Sequence, residues 1–234
     1  MTSNATRKRR ERGSISPEDI LAGAFIVAER DGLDNLSMPV LASHLEIGVT
    51  SIYWYFRSKD DLLRKMTTQA TTFLQNQLPT TEGWKPEDWQ EFLLSYFSAD
   101  RASHQNANVL TDLVLMRTSS YSIPSTHRVY RGIESILAYL TKAGFTARQA
   151  WFLYSSLSLY TRGFIITERM RQVNQTPPVG LSQLSLIDVE NMPILVGLIS
   201  EHDAMLDMAD DESFAFGVRL ALEQAARILE ETSG

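Results

Sequence analysis

Residues 16–65 carry three helix-start signals in quick succession, and that spacing constrains the chain more than any other feature. Helices this short do not persist alone, because nucleation fixes several residues for one hydrogen bond. They must bury their apolar stripes against one another, which predicts a compact cluster. Ser16 is placed as an N-cap, with Pro17 at the first helical position and Asp19 where a capping box needs an acid. Ile20, Ala24, Val27 and Ala28 then form one apolar stripe, and Gly32 ends the helix. A second helix is expected from Ser37, with Pro39 in its first turn and Val40, Leu41 and Leu45 facing inward.

The segment Glu46–Gly48 reads as a turn, with Gly48 capping a third short helix over about Val49–Phe56. Ile52 and Phe56 are spaced for burial there. Tyr53, Trp54 and Tyr55 between them point about 100° apart, so they cannot all share the buried face. Ser58 and Asp61 open a fourth helix, and Lys59 falls in its first turn. A cation there opposes the helix dipole, which is explicable as a solvated lysine or, better, as a partner of a phosphate docked at that N-terminus.

The net charge of −6 looks wrong for a nucleic-acid binder, but its distribution matters more. Residues 1–70 hold 10 Lys/Arg against 9 Asp/Glu, whereas the remainder hold 12 against 19. Arg7, Lys8, Arg9, Arg10 and Arg12 make a basic arm facing only Glu11. The arm reads either as a solubilising tail or as a nucleic-acid contact.

These residues resemble the TetR family of bacterial regulators. The resemblance is carried by Leu36–Leu63, LSMPVLASHLEIGVTSIYWYFRSKDDLL, and within it by Ser51, Ile52, Tyr53, Tyr55, Phe56 and Lys59. The family's turn glycine is replaced by Glu46, its helix-start serine by Gly48, and its frequent polar neighbour by Val49. The resemblance implies that Tyr53 and Lys59 contact phosphates, that Thr50, Ser51 and Trp54 face the major groove, and that Tyr55 lies near the backbone. Val49 would meet a thymine methyl, and Ser37 and Met38 would lie at a helix N-terminus beside the opposite strand.

The expected fold is all-α. A flexible arm at 1–15 precedes a helix-turn-helix DNA-binding domain at 16–66 and a larger helical domain at 67–234 for effector binding and dimerisation. Within the latter, Trp89–Phe97, Val109–Met116, Tyr130–Leu140, Ala150–Met170, Met192–Met208 and Phe214–Leu229 read as helix cores, and about Asn174–Glu190 as a long loop. Phe214, Val218, Ala221, Ala225 and Ile228 step as a bundle seam, beside a small-residue row at Gly217, Ala221 and Ala225. The seam suits packing within the chain or, as the resemblance favours, a homodimer interface shared with Ala150–Met170.

Candidate walls of a ligand site are Phe92, Tyr96, Phe97, Leu113, Met116, Trp151 and Tyr154. Arg162 either holds an anionic head or, the preferred reading, pairs with a nearby Glu. Ordinary core packing is the competing account of the apolar members. With no cysteines, no close histidine spacing among His44, His104, His127 and His202, and no phosphate loop or nucleophile elbow, neither a metal, a cofactor nor a catalytic residue is expected. Ala150–Tyr160 is too short to span a bilayer and no signal sequence is evident, so a soluble, cytoplasmic chain is expected.

The resulting functional expectation is a homodimeric repressor of a palindromic double-stranded DNA operator, released by a small lipophilic effector. The alternative is the same DNA-binding fold without an effector, acting as an activator, nucleoid factor or adaptor.

Overall fold

The computed structural model describes residues 15–105, 107–116, 123–175, 187–202 and 209–233. The basic arm Arg7–Arg12 and most of the expected 174–190 loop lie outside them. Among the described residues every regular element is helical, and no helix is long and apolar enough to cross a membrane. The helices are α1 (Pro17–Asp31), α2 (Met38–His44), α3 (Val49–Tyr53), α4 (Lys59–Gln75), α5 (Trp89–Gln105), α6 (Asn108–Thr111), α7 (Ile123–Lys142), α8 (Ala147–Asn174), α9 (Pro193–His202) and α10 (Asp211–Ser233). A π-helical turn, Asp112–Met116, continues α6. The chain forms two compact units, one of residues 1–78 and 106–133, the other of 79–105 and 134–234.

The first unit is built by its caps. The Asp19 amide donates to Ser16 Oγ at 3.1 Å, and the Ser16 amide donates to Asp19 Oδ2 at 3.0 Å, so two orphan donors are satisfied reciprocally. Ser37 Oγ accepts from the Val40 amide at 3.3 Å and opens α2. Gly23 lets α2 come close: a Cβ there would sit 2.6 Å from Leu45 Cδ2. The buried stripe of α1 is the expected one, with Leu21 and Gly23 added.

The inner face of α2 differs from expectation. Met38, Leu41 and Ala42 are buried, whereas Val40 is exposed. In a seven-residue helix the i, i+3, i+4 face runs from the first residue, and Val40 lies off it. A Met38 side chain in the core cannot contact DNA; only its backbone amide remains available at the α2 N-terminus.

The unit is also larger than 16–66. A boundary at Met66 falls inside α4, whose buried face continues through Thr67, Ala70, Thr71 and Leu74. The threonines are tolerated because their hydroxyls bond back along the helix, Thr67 to the Leu63 carbonyl at 2.9 Å and Thr71 to that of Thr67 at 2.8 Å. Val109 and Leu113 complete this core. Leu113 is thus not a wall of a site in the second unit, and Met116, also in the first unit, is exposed.

The second unit packs α5, α8 and α10 around Phe92, Leu93, Phe97, Leu153, Leu157 and Val218. A capping box between Thr146 and Gln149 opens α8. The α10 seam is turned into the protein's own core: Phe214, Val218 and Ala225 are buried, and only Ile228 is exposed. The small residue at Gly217 has an intramolecular reason, because a Cβ there would overlap the Tyr160 ring and hydroxyl. That hydroxyl donates to the Ser213 carbonyl at 2.8 Å. The same unit holds a buried cation. Arg101 donates to Glu168 Oε1 at 2.6 and 3.1 Å, pairs with Asp211 Oδ1 at 2.9 Å and lies 4.7 Å from the Phe214 ring centre.

The α2–α3 turn stores strain at one position. Glu46 sits at φ 55, the left-handed region that favours glycine. Glu46→Gly is expected to raise the thermal midpoint by a few degrees, corresponding to roughly 0.5–1 kcal/mol. A lower midpoint in a calorimetric scan would show that the glutamate side chain contributes more than its backbone costs.

Candidate nucleic-acid surface and ligand cluster

The α3 segment is only five residues long, so its orientation depends on what anchors it. Ile52 and Phe56 are both buried in the first unit's core. With those two fixed, the intervening side chains turn outward: Tyr53 is 49%, Trp54 83% and Tyr55 44% exposed. Thr50 is exposed and Ser51 half-buried on the same short helix. Val49 is half-buried and packs on the core with part of its side chain. Ser37 is half-buried, its hydroxyl engaged in capping.

Two further groups are tied locally. Tyr55 donates its hydroxyl to the Ile15 carbonyl at 3.1 Å, which fastens the segment just after α3 to the residue before the α1 cap. The Lys59 ammonium lies 3.5 Å from the Asp34 carbonyl, a long contact at the edge of hydrogen bonding. Beside it the α4 cap is formed by Ser58 Oγ, which accepts from the Asp61 amide at 3.1 Å. Asp61 reaches back to the Arg57 amide rather than to that of Ser58. Arg57 is exposed next to this N-terminus, a cation that motif matching passed over. Its position one residue before the cap was the available signal.

Of the ligand-wall residues, Phe92, Tyr96, Phe97, Trp151, Tyr154 and Arg162 all belong to the second unit. Phe92 and Phe97 are core, whereas Trp151 is exposed. Aromatic contacts link them: Tyr96 to Phe97 at 5.2 Å between ring centres, Phe97 to Tyr154 at 6.0 Å, and Trp151 to Tyr154 at 6.5 Å.

The expected Arg162 salt bridge is not formed. Among the described residues no carboxylate lies within ion-pair distance of Arg162, and Glu168 is taken by Arg101. Arg162 is exposed to solvent and acts on Tyr96, Asp100 and His104 of α5 only through longer-range electrostatics. The i, i+4, i+8 spacing of that row was legible in the sequence, but Asp100 and His104 were not singled out.

Burial sets the ionisation of this row. It raises the Asp100 carboxyl from 3.8 to about 6, against the opposing pull of Arg162. Burial first, and Arg162 second, lower His104 from 6.5 to about 4. The two groups lie 4.0 Å apart, and with the imidazole neutral they are not an ion pair. Burial also raises the Tyr96 and Tyr154 hydroxyls, so both stay protonated at neutral pH.

The fold and surface define a helix-turn-helix regulator with a separate helical unit. Residues 20–66 match the family described as bacterial regulatory proteins, tetR family, and residues 82–224 match the tetracyclin repressor-like C-terminal domain. An HTH-type transcriptional repressor of Mycobacterium tuberculosis is 36% identical over 236 residues, covering 99% of this chain and 88% of the relative. The tetracycline repressor protein class E of Escherichia coli is 24% identical over 159 residues, covering 66% of this chain and 69% of the relative. The solved structure of the Streptomyces coelicolor TetR family protein ActR with actinorhodin shares the fold at a TM-score of 0.66, with 20% identity, 92% of this chain and 98% of that one. The chain belongs to the TetR family of transcriptional regulators.

The Asp100 shift has a measurable consequence. The unfolded carboxyl ionises near 3.8, while the folded one keeps its proton to about 6. Its contribution to stability is therefore fully present below the lower value and lost as pH rises through the upper one. Asp100→Asn is expected to stabilise the protein near pH 7.5 by on the order of 1–2 kcal/mol and to change little near pH 4. A thermal midpoint that falls near pH 7.5 would contradict the burial argument.

Proposed function

We propose that the protein is a homodimeric repressor that binds a palindromic DNA operator and releases it when a small effector with a lipophilic body enters the second unit. The observation that carries the DNA reading is the outward display of Tyr53, Trp54 and Tyr55 by an α3 whose Ile52 and Phe56 are locked in the core. In this reading Thr50, Ser51 and Trp54 meet base edges, and Tyr53, Lys59 and Arg57 meet phosphates. Val49 offers the exposed part of its side chain, and the α2 N-terminus contributes backbone amides at Met38. The arm Arg7–Arg12 adds sequence-independent attraction.

Kinship supports repression, since the 36%-identical mycobacterial relative is named a transcriptional repressor. Effector release is supported by structural relatives solved with ligands, actinorhodin in ActR among them. The protein acts by binding rather than catalysis, in the cytoplasm where its operator lies.

The dimer needs a surface other than the seam first expected. Phe152 and Leu159 on α8, and Phe216 and Leu220 on α10, are large apolar side chains left exposed at 53%, 71%, 67% and 57%. A second copy of the chain is the occupant that also supplies the two recognition helices of a palindrome. Leu159→Glu with Leu220→Glu is expected to yield a monomer by sedimentation and to cost most of the operator affinity. A wild-type chain that sediments as a monomer at micromolar concentration sinks the dimer.

For DNA, the operator is one recovered by selection from random duplexes with the full chain. Tyr53→Ala with Lys59→Ala is expected to weaken binding and to flatten the dependence of log affinity on log salt by roughly 1–2 in slope. Unchanged affinity and slope in anisotropy titrations would falsify the phosphate assignments.

A further inference from the structure

Tyr55 is exposed, yet its hydroxyl is committed within the chain. It donates to the carbonyl of Ile15, 40 residues earlier in the sequence. A phenol has one proton to donate, so a hydroxyl bound to that carbonyl has none left for a DNA phosphate, which only accepts. The role of Tyr55 therefore lies in what the bond holds.

It holds one peptide group. The Ile15 carbonyl and the Ser16 amide belong to the same planar unit. The carbonyl accepts from Tyr55 at 3.1 Å, and the amide donates to Asp19 Oδ2 at 3.0 Å. Both polar ends of the plane are thus fixed, one by the α1 cap and the other from beside α3. The flanking side chains are seated as well: Ile15 packs on the first unit's core, and Phe56, next to Tyr55, is buried in it. The Tyr55 and Phe56 amides both donate to the Ile52 carbonyl, at 3.0 and 2.9 Å, so the backbone that carries the Tyr55 ring is fixed by the anchor of α3.

This peptide is also where the basic arm joins the first unit. Upstream of Ile15 stand Arg7, Lys8, Arg9, Arg10 and Arg12 against Glu11, all outside the described residues. An extended chain covers at most about 3.5 Å per residue, so Arg12 stays within about 10 Å of Ile15 and Arg7 within about 28 Å. One turn of B-DNA rises about 34 Å. Cations tethered at this root are confined to the stretch of duplex flanking the groove that α3 enters. A root whose direction is already fixed also has less freedom to lose when the arm engages.

We propose that Tyr55 is a positioning residue for the basic arm: by holding the Ile15 carbonyl beside α3, it directs Arg7–Arg12 onto the phosphates next to the recognition groove. This rests on the DNA reading above and assigns Tyr55 a task distinct from that of Tyr53.

The test uses the full chain and the operator recovered by selection. Three variants are compared: Tyr55→Phe, which keeps the ring and removes the hydroxyl; an arm variant with Arg7, Lys8, Arg9, Arg10 and Arg12 all changed to Gln; and the combination. Anisotropy titrations across a salt series give affinity and the slope of log affinity against log salt, and hydroxyl-radical footprints give the protected phosphates. The arm variant is expected to flatten the slope by up to about 4. Tyr55→Phe is expected to weaken binding severalfold, to flatten the slope by roughly 1–2 and to lose protection in the flanking stretch alone. Added to the arm variant, Tyr55→Phe should change nothing further. A hydroxyl that only stabilises the fold predicts a lower thermal midpoint with an unchanged slope, and that result overturns the proposal. So does a loss of affinity that is equally large with and without the arm's charges, which marks Tyr55 as a direct contact. Either outcome leaves the DNA reading standing, whereas a chain that selects no operator removes both.

Discussion

The burial of Ile52 and Phe56 is the constraint on which the nucleic-acid surface depends. A five-residue helix has almost no stability of its own, so its direction is whatever its anchors impose. Two large side chains, four residues apart, seat it in a core assembled by α1, α2 and α4. Everything between those anchors is then pushed outward by helical geometry, including three aromatic rings that an isolated domain would gain by burying. The cost of exposing Trp54 is carried by the packing of its neighbours. The Tyr55 hydroxyl adds a second fastening to Ile15, so the segment just after α3 and the residue before the α1 cap are held together.

The second unit handles polar groups in two opposite ways. Arg101 is buried and fully used: carboxylates from α8 and α10, the Ala209 carbonyl and the Phe214 ring all face it. A buried cation with this many partners ties three helices and fixes their register more than it adds net stability. Asp100, its neighbour on α5, is desolvated and keeps its proton to about 6, and the buried Thr161 hydroxyl of α8 has no hydrogen-bond partner among the described residues. The same unit thus holds a fully partnered cation beside polar groups that burial disfavours.

Much of the first unit was legible because its signals are local. Ser16 with Asp19, Ser37 and Ser58 cap the helices they were expected to cap, and the stripe from Ile20 to Ala28 is buried as read. Errors arose where the deciding contact is distant in sequence. Met38 and Val40 are both apolar and two residues apart, and only the docking of α2 on α1 decides which is buried. The domain boundary expected at Met66 falls inside α4, whose further turns pack with Val109 and Leu113 from another part of the chain. Leu113 was placed in the wrong unit for the same reason. The α10 seam was correctly read as a seam, but periodicity does not say whose helix fills it; Tyr160 against Gly217 does.

Glu168 shows why nearness in sequence does not assign an ion pair. It stands six residues after Arg162 on α8, a spacing that places the two on different faces of the helix. Its partner is Arg101 of α5, whose Nε and Nη2 both donate to its Oε1, while Arg162 is exposed to solvent. What commits Glu168 is therefore the packing of α8 against α5, and only the fold brings that partner to it.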